Sequence, residues 1–307
     1  MARPRALVTG AAGFVGGHLI AHLAARGVEA AASRVRLPDR AGFARLLAET
    51  RPHAVIHLAA VSFLPAAERD PRAALATNVD GVRSVLEALG EADPGGSTRF
   101  ILISSGHVYR PQNGQVLDED SPVDPPTTYG RTKLAAEILS RIWCEAEPRR
   151  PLWVFRPFNH TGPRQPPIYA ASSFARQAAL IEAGRMAPVL ETGDLEVRRD
   201  FSDVRDIVRA YAGAAVGEVP PGTYNLASGR SLSLGEVVER YRKLAKVAFE
   251  VRPRMEPDRA GEARDIRACA ERIAGASGWR AEIPIETTLG DLLADWRERT
   301  AAGEAGP

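Results

Sequence analysis

Short apolar runs alternate with amphipathic stretches through the first half of the chain, and that alternation restricts the fold more than any other feature of the sequence. Ala6 to Thr9, Ala54 to Ala59, Phe100 to Ser104 and Leu152 to Phe155 are each bounded by Gly, Pro or polar residues, as strands buried on both faces are. Between them the apolar spacing takes a helical period. Phe14, Leu19, Ile20 and Leu23 share one face of a helix that Gly27 ends, and Leu75, Val79, Val82, Val85, Leu86 and Leu89 share another before Gly90. Tyr129 to Trp143 predicts a third helix. Strand and helix in strict turn predict an α/β chain with a doubly wound parallel sheet.

The pattern stops at Asn159 to Pro167, which is rich in Gly and Pro, so a second unit is expected to begin there. A helical stretch from Asp203 to Ala215 and a strand from Thr223 to Ala227 predict a return to the first unit. Residues 1–160 and 201–228 are therefore expected to form a cofactor domain, with 161–200 and 229–307 forming a smaller, mostly C-terminal α/β substrate domain. Ser233 with Glu236, and Thr288 with Asp291, have the spacing of helix N-terminal caps.

The first strand meets the first helix at Thr9-Gly10-Ala11-Ala12-Gly13-Phe14-Val15-Gly16. Glycines there allow a dinucleotide pyrophosphate to approach backbone N–H groups at a helix N-terminus, the Rossmann arrangement. Their spacing departs from GxGxxG, so the strand and helix context carries the reading. Just after the expected second strand stand Ser33 and Arg34, followed by Arg36; a guanidinium and a hydroxyl suit a phosphate, which favours NADP(H) over the alternative NAD(H).

Bulk properties exclude several classes. With 307 residues, 45% hydrophobic and 25% charged, and a formal charge of +2, the chain reads as an ordinary soluble globular protein, long enough for an enzyme and without a nucleic-acid-binding surface. No signal-like N-terminus and no run of about 18 apolar residues is found, which predicts a cytoplasmic protein without membrane attachment. Cys144 and Cys269 have no metal-ligand spacing, so neither a metal nor a structural disulfide is expected.

Tyr129 and Lys133 lie four residues apart, on one face of a helix. An ammonium beside a phenol is expected to lower the phenol's pKa and let it exchange a proton with a carbonyl or alcohol oxygen. Ser105, at the end of a strand, could hydrogen-bond the same oxygen.

On these residues the chain resembles the extended short-chain dehydrogenase/reductase family, in its nucleotide-sugar branch. The matching segments are TGAAGFVG at the start, HLAA at 57–60, TNVDG at 77–81, SSGHVY at 104–109, YGRTK at 129–133 and RPFNHTGP at 156–163. The resemblance implies that Ser105, Tyr129 and Lys133 are the catalytic set, that Lys133 also holds the nicotinamide ribose and that Asn78 supports the site. Leu58, Ala59 and Ala60 would line the cofactor, and a homodimer is implied.

GDLEVRRDFSDVRD at 193–206 and the FNHTGP segment resemble the GDP-mannose dehydratase and GDP-4-keto-6-deoxymannose reductase group. By that resemblance Arg199 and Arg259 are candidates for a nucleotide-sugar diphosphate and Asn159 for a polar substrate contact, although Ala260 stands where the group has Pro. A dehydratase also needs an acid and a base beside the catalytic hydroxyl; Gly106 and His107 supply no carboxylate there, which favours ketone reduction over dehydration. His107 reads equally as a sugar contact or a structural histidine. The short Ser33–Asp39 connection leaves little room for the usual helix and third strand, as in dTDP-4-dehydrorhamnose reductase. The expected activity is NADPH-dependent reduction of a nucleotide-linked 4-keto-6-deoxyhexose, most simply GDP-4-keto-6-deoxymannose to a GDP-6-deoxyhexose such as GDP-D-rhamnose. The alternatives are a 4-epimerase with tightly bound NAD, a 4,6-dehydratase, and a non-catalytic dinucleotide sensor on the same fold.

Overall fold

Side chains of a strand alternate between the two faces of a sheet, and each apolar run of the first half uses both faces. In the computed structural model, which describes residues 3–110, 114–146, 150–254 and 263–304, Ala6, Val8, Ile101 and Ile103 fill one hydrophobic cluster. Leu7, Phe100 and Leu102 fill another on the opposite face.

The chain runs β1 (Arg5–Thr9), α1 (Phe14–Ala25), β2 (Glu29–Ala32), α2 (Arg40–Thr50), β3 (Ala54–His57), α3 (Leu64–Arg69) and α4 (Pro71–Leu75). A π-helical turn at Ala76–Asp80 leads into α5 (Gly81–Ala92), β4 (Arg99–Ile103), β5 (Val116–Leu117), α6 (Thr128–Ala146), β6 (Leu152–Pro157) and β7 (Asn159–Thr161). Then come α7 (Ala170–Glu182), β8 (Val189–Thr192), β9 (Arg198–Asp203), α8 (Val204–Val216), β10 (Gly222–Leu226), β11 (Ser231–Ser233) and α9 (Leu234–Leu244). β12 (Glu250–Pro253), β13 (Asp265–Ala268), α10 (Glu271–Ser277) and α11 (Ile285–Ala301) complete it.

Six strands in the order β10-β6-β4-β3-β1-β2 form one parallel sheet. The chain returns to this sheet through β10, as the Thr223 to Ala227 run implied. The short connection after β2 retains one helix, α2, and no strand, so β2 is the sheet's edge. Asp39 starts that helix by accepting from the Gly42 amide at 2.9 Å.

Beyond the sheet, β11-β9-β13-β5 form a second sheet with β7 beside β9, and β8 pairs with β12. Here α7, α9 and α11 pack around Trp296, whose indole N–H donates to Ser172 Oγ at 2.9 Å. Ser233 and Glu236 form the expected reciprocal cap of α9 at 3.0 and 2.8 Å. Thr288 does not cap α11. The helix begins three residues earlier, behind Pro284, whose fixed φ suits a helix start. Thr288 instead donates to Asp203 Oδ2 at 2.7 Å, while Asp203 Oδ1 caps α8 by accepting from the Arg205 amide at 2.7 Å. This buried link ties the C-terminal helix to the connection between β9 and α8. Ile273 and Trp279 also pack into the hydrophobic cluster of the six-stranded sheet. Among the described residues no helix is long and apolar enough to cross a membrane, and Cys144 and Cys269 are unpaired.

Trp296→Ala is expected to remove the centre of the cluster between α7, α9 and α11 and its bond to Ser172, at a cost of about 3–5 kcal/mol in denaturant unfolding.

Candidate active site

The carboxyl ends of β1, β3 and β4 open on a common edge, where α/β sheets bind ligands. At β1, the chain turns through Gly10 with φ +68°, and a Cβ there would sit 2.8 Å from the Ala59 amide nitrogen. A Cβ on Gly16 would lie 2.4 Å from the Gly10 carbonyl oxygen. Backbone is therefore packed on backbone, leaving the first turn of α1 accessible. Its N-cap, Gly13, offers no side-chain acceptor, and the first turn holds no acidic residue. Unsatisfied amides and a helix dipole without a competing anion fit a dinucleotide pyrophosphate. Phe14 and Val15 follow in that turn, partly buried against the sheet's core. Phe14 also stacks on His160 with ring centroids 6.2 Å apart.

The second half of a dinucleotide site falls at the end of β2. Ser33 follows the strand directly, its amide bonded to the Val8 carbonyl at 2.8 Å. Arg34 and Arg36 are exposed, and neither has an ion-pair partner among the described residues. Arg40, close by, is paired with Glu87 and Glu91. Two unpaired guanidinium groups at this rim suit a phosphate.

The π-helical turn buries Asn78, which fastens two of the predicted segments together. Its Oδ1 accepts from the Val61 amide at 2.8 Å, and its Nδ2 donates to the Val61 carbonyl at 3.2 Å and to Thr132 Oγ1 at 2.9 Å. The loop holding Leu58, Ala59 and Ala60 is thus tied to the helix that carries Tyr129 and Lys133. On its other side the Ala59 amide donates to Thr9 Oγ1 at 3.2 Å, and Thr9 bonds His57 Nδ1 at 3.1 Å. Burial and the nearby Lys133 push His57 down to about 3, so its ring is neutral.

Ser105, Tyr129 and Lys133 are brought together and are all buried. Ser105 neighbours the Tyr129 phenol, whose ionised form it favours, and its Oγ accepts from the His107 amide at 3.2 Å. The Lys133 ammonium donates to the Ile103 carbonyl at the end of β4. The expected lowering of the tyrosine by the lysine is not found. Burial pushes Tyr129 up to about 12, opposed by the neighbouring Ser105 hydroxyl, because a phenolate sealed from water is disfavoured. Lys133 is pushed down to about 8 by the same burial, with Glu137 acting against it. At neutral pH the phenol is a proton donor beside a lysine that is still largely charged.

The His107 ring meets Tyr129 edge-on with centroids 5.7 Å apart, which places it beside the phenol. Gly106 is covered: a Cβ there would lie 2.9 Å from the Phe158 ring. Asn159, exposed, opens β7 directly after Phe158. Arg199 lies in β9 with its guanidinium held by the carbonyls of Arg198, Ala263 and Arg264 at 2.8, 3.2 and 3.3 Å. Arg259 lies outside the described residues.

Sequence reasoning missed Tyr169. It stands before α7, within 3.5 Å of the Ser62 hydroxyl and edge-on to Phe63, and its phenol is close enough to act on Tyr129. No local pattern marks it, since its relevance comes from a contact between distant segments. Glu137 and Arg156 were missed as well, although Glu137 repeats the four-residue step from Tyr129 to Lys133. Among the described residues no group of three or more His, Cys, Asp or Glu is placed to hold a metal ion.

Gly130 is required by close approach, since a Cβ there would meet the His107 carbonyl oxygen at 2.2 Å. Gly130→Ala is expected to lower stability by about 1–3 kcal/mol through overpacking, read as a fall in thermal unfolding temperature.

The model of the NAD dependent epimerase/dehydratase family matches residues 6–227. GDP-6-deoxy-D-mannose reductase of Pseudomonas aeruginosa is 38% identical over 305 residues, covering 96% of this chain and 98% of that one. The solved structure of RMD from Pseudomonas aeruginosa complexed with NADPH superposes with a TM-score of 0.87 at 37% identity, covering 96% of this chain and 99% of that one. UDP-glucose 4-epimerase of Thermus thermophilus in complex with NAD is more distant, at 26% identity and a TM-score of 0.84, with 95% and 99% covered. By its glycine turn, its Ser-Tyr-Lys cluster and these matches, the chain belongs to the NAD dependent epimerase/dehydratase family.

Proposed function

We propose that the protein reduces the 4-keto group of a nucleotide-linked 6-deoxyhexose with NADPH, its substrate being GDP-4-keto-6-deoxy-D-mannose and its product a GDP-6-deoxyhexose such as GDP-D-rhamnose. The observation that carries this reading is the pairing of a buried, protonated Tyr129 with Ser105, while Gly106, covered by Phe158, and His107 supply no carboxylate after Ser105. The likeness to GDP-6-deoxy-D-mannose reductase supports the substrate class.

The turn through Gly10, Gly13, Phe14, Val15 and Gly16 would hold the pyrophosphate, Ser33 and Arg34 the adenosine phosphate, and Leu58, Ala59, Ala60 and Asn78 the wall beside them. Bound there, NADPH supplies the hydride that the keto carbon receives. Ser105 hydrogen-bonds the keto oxygen and orients it. Tyr129 gives that oxygen its proton, forming the alcohol, and the Lys133 ammonium supplies the positive charge against which the phenolate forms. Arg199 and Arg259 would bind the diphosphate, and His107 and Asn159 the sugar.

Residues 1–160 and 201–228 would act as the cofactor domain and 161–200 and 229–307 as the substrate domain. A cytoplasmic homodimer completes the reading, supported by the exposed Ile138 and Ile142, one turn apart on α6.

The test is NADPH oxidation against a panel of freshly generated GDP- and dTDP-4-keto-6-deoxysugars; stoichiometric oxidation with the GDP sugar is expected. Activity with none, together with NAD retained through purification, would point to an epimerase instead. Tyr129→Phe is expected to lower kcat by about 10²–10⁴-fold with nearly unchanged NADPH affinity. Arg34→Ser is expected to weaken NADPH more than NADH by about tenfold or more, the loss of a charge-assisted phosphate contact, as read by titration of both cofactors.

A further inference from the structure

Glu137 stands on α6 one turn beyond Lys133 and two beyond Tyr129, and it is 1% exposed. A buried carboxylate costs several kcal/mol unless it is paired and hydrogen-bonded. Both of its oxygens are satisfied. Oε1 accepts from Ser104 Oγ at 2.6 Å and Arg156 Nε at 2.9 Å, and Oε2 from the terminal guanidinium nitrogen of Arg156 at 2.7 Å. Arg141, half-exposed, approaches from the rim at 3.5 Å. Arg156 is fixed in turn by the Tyr109 hydroxyl at 2.9 Å, and that hydroxyl donates to Asn225 at 2.7 Å. One carboxylate therefore joins the end of β4, where Ser104 precedes Ser105, to α6, β6 and, through Tyr109, β10.

We propose that Glu137 is a positioning residue: clamped between Ser104 and Arg156, it holds a fixed negative charge beside the Lys133 ammonium and sets the spacing of Ser105 against Tyr129 and Lys133. The proposal rests on the proposed NADPH-dependent function and on the role that the family resemblance implies for Lys133, holding the nicotinamide ribose.

The groups facing Lys133 make this measurable. His57, on β3, titrates at about 3, and Tyr129 at about 12. Glu137 is the negative charge that acts on the lysine, and Lys133 itself lies at about 8. Between pH 7 and 9 only the lysine among these groups changes charge. Its contribution to NADPH affinity is complete below that range and is lost as pH rises through about 8. Removing the Glu137 charge leaves burial unopposed, so the loss moves to lower pH.

The test is NADPH titration by isothermal calorimetry from about pH 6.5 to 9.5, bracketing the usual range of a depressed lysine, with wild type, Glu137→Gln and Glu137→Asp. Wild type is expected to lose affinity near pH 8. In Glu137→Gln, which keeps shape and loses charge, the loss is expected about one pH unit lower, making binding about tenfold weaker in the window between the two limbs. Glu137→Asp, which keeps charge and loses length, is expected to stay at the wild-type position. A purely structural role predicts the reverse order of severity and unmoved limbs, and either result overturns the proposal, as does a wild type that binds NADPH without such a limb. A wild type that does not bind NADPH overturns the cofactor reading instead. If Glu137→Gln alone does not fold, Glu137→Gln/Arg156→Met replaces both charges of the pair, and the same shift is expected.

Discussion

Lys133 is 4% exposed, and a cation removed from water to that degree must be compensated on several sides or the chain will not fold around it. The compensation comes from a backbone carbonyl at the end of β4 and from a carboxylate on the lysine's own helix, itself locked to β4 and β6. Each of these supports constrains an element. Moving β4 relative to α6 would uncouple Ser105 from Tyr129, and would also strand a charge in the core. The geometry of the Ser-Tyr-Lys cluster is thus enforced by folding itself. Surface pairs such as Arg242–Glu239, worth less than about 1 kcal/mol each, have no comparable hold on the architecture.

The features legible in the sequence were those with a local physical signature. Apolar alternation located the strands, because each buried strand must fill both faces of a sheet. The glycines at 10 and 16 were legible because only glycine allows backbone to approach backbone as closely as the turn requires. Tyr129 and Lys133 were legible through helical spacing. Thr288 was misread because a Ser or Thr three residues before a carboxylate marks a cap only when the chain there is free to start a helix, and Pro284 had already started one. The tyrosine's acidity was misjudged because spacing records which groups are neighbours and not how much water reaches them. Tyr169 and Phe158 act across long sequence separations, and nothing near them in the chain announces their partners.

The hydrophobic cluster that α8 forms with the sheet and the cluster around Trp296 meet along a polar seam. Asp203 caps α8 and accepts from Thr288 of α11. Asp206, one turn on, accepts the amides of Glu282 and Ile283 at 2.9 Å, while its carbonyl receives the Trp279 indole N–H at 2.9 Å. The bonds to the two carboxylates are charge-assisted and lie in a water-poor setting, where they exceed their surface counterparts. They fix the segment from Trp279 to Thr288, and with it the C-terminal helix, to the return helix α8.

Phe158 against Gly106 has an evolutionary reading. The ring occupies the volume that any side chain at 106 would need, and it is itself stacked on Tyr109, with centroids 6.2 Å apart. A substitution at 106 alone is penalised by overlap, and one at 158 alone by an unfilled void beside the buried Tyr109. The two positions form a coupled pair in which each residue makes the other's replacement unfavourable. A descendant of this chain could acquire a carboxylate at 106 only through an intermediate that is worse than either end point, so drift by single steps tends to keep glycine there.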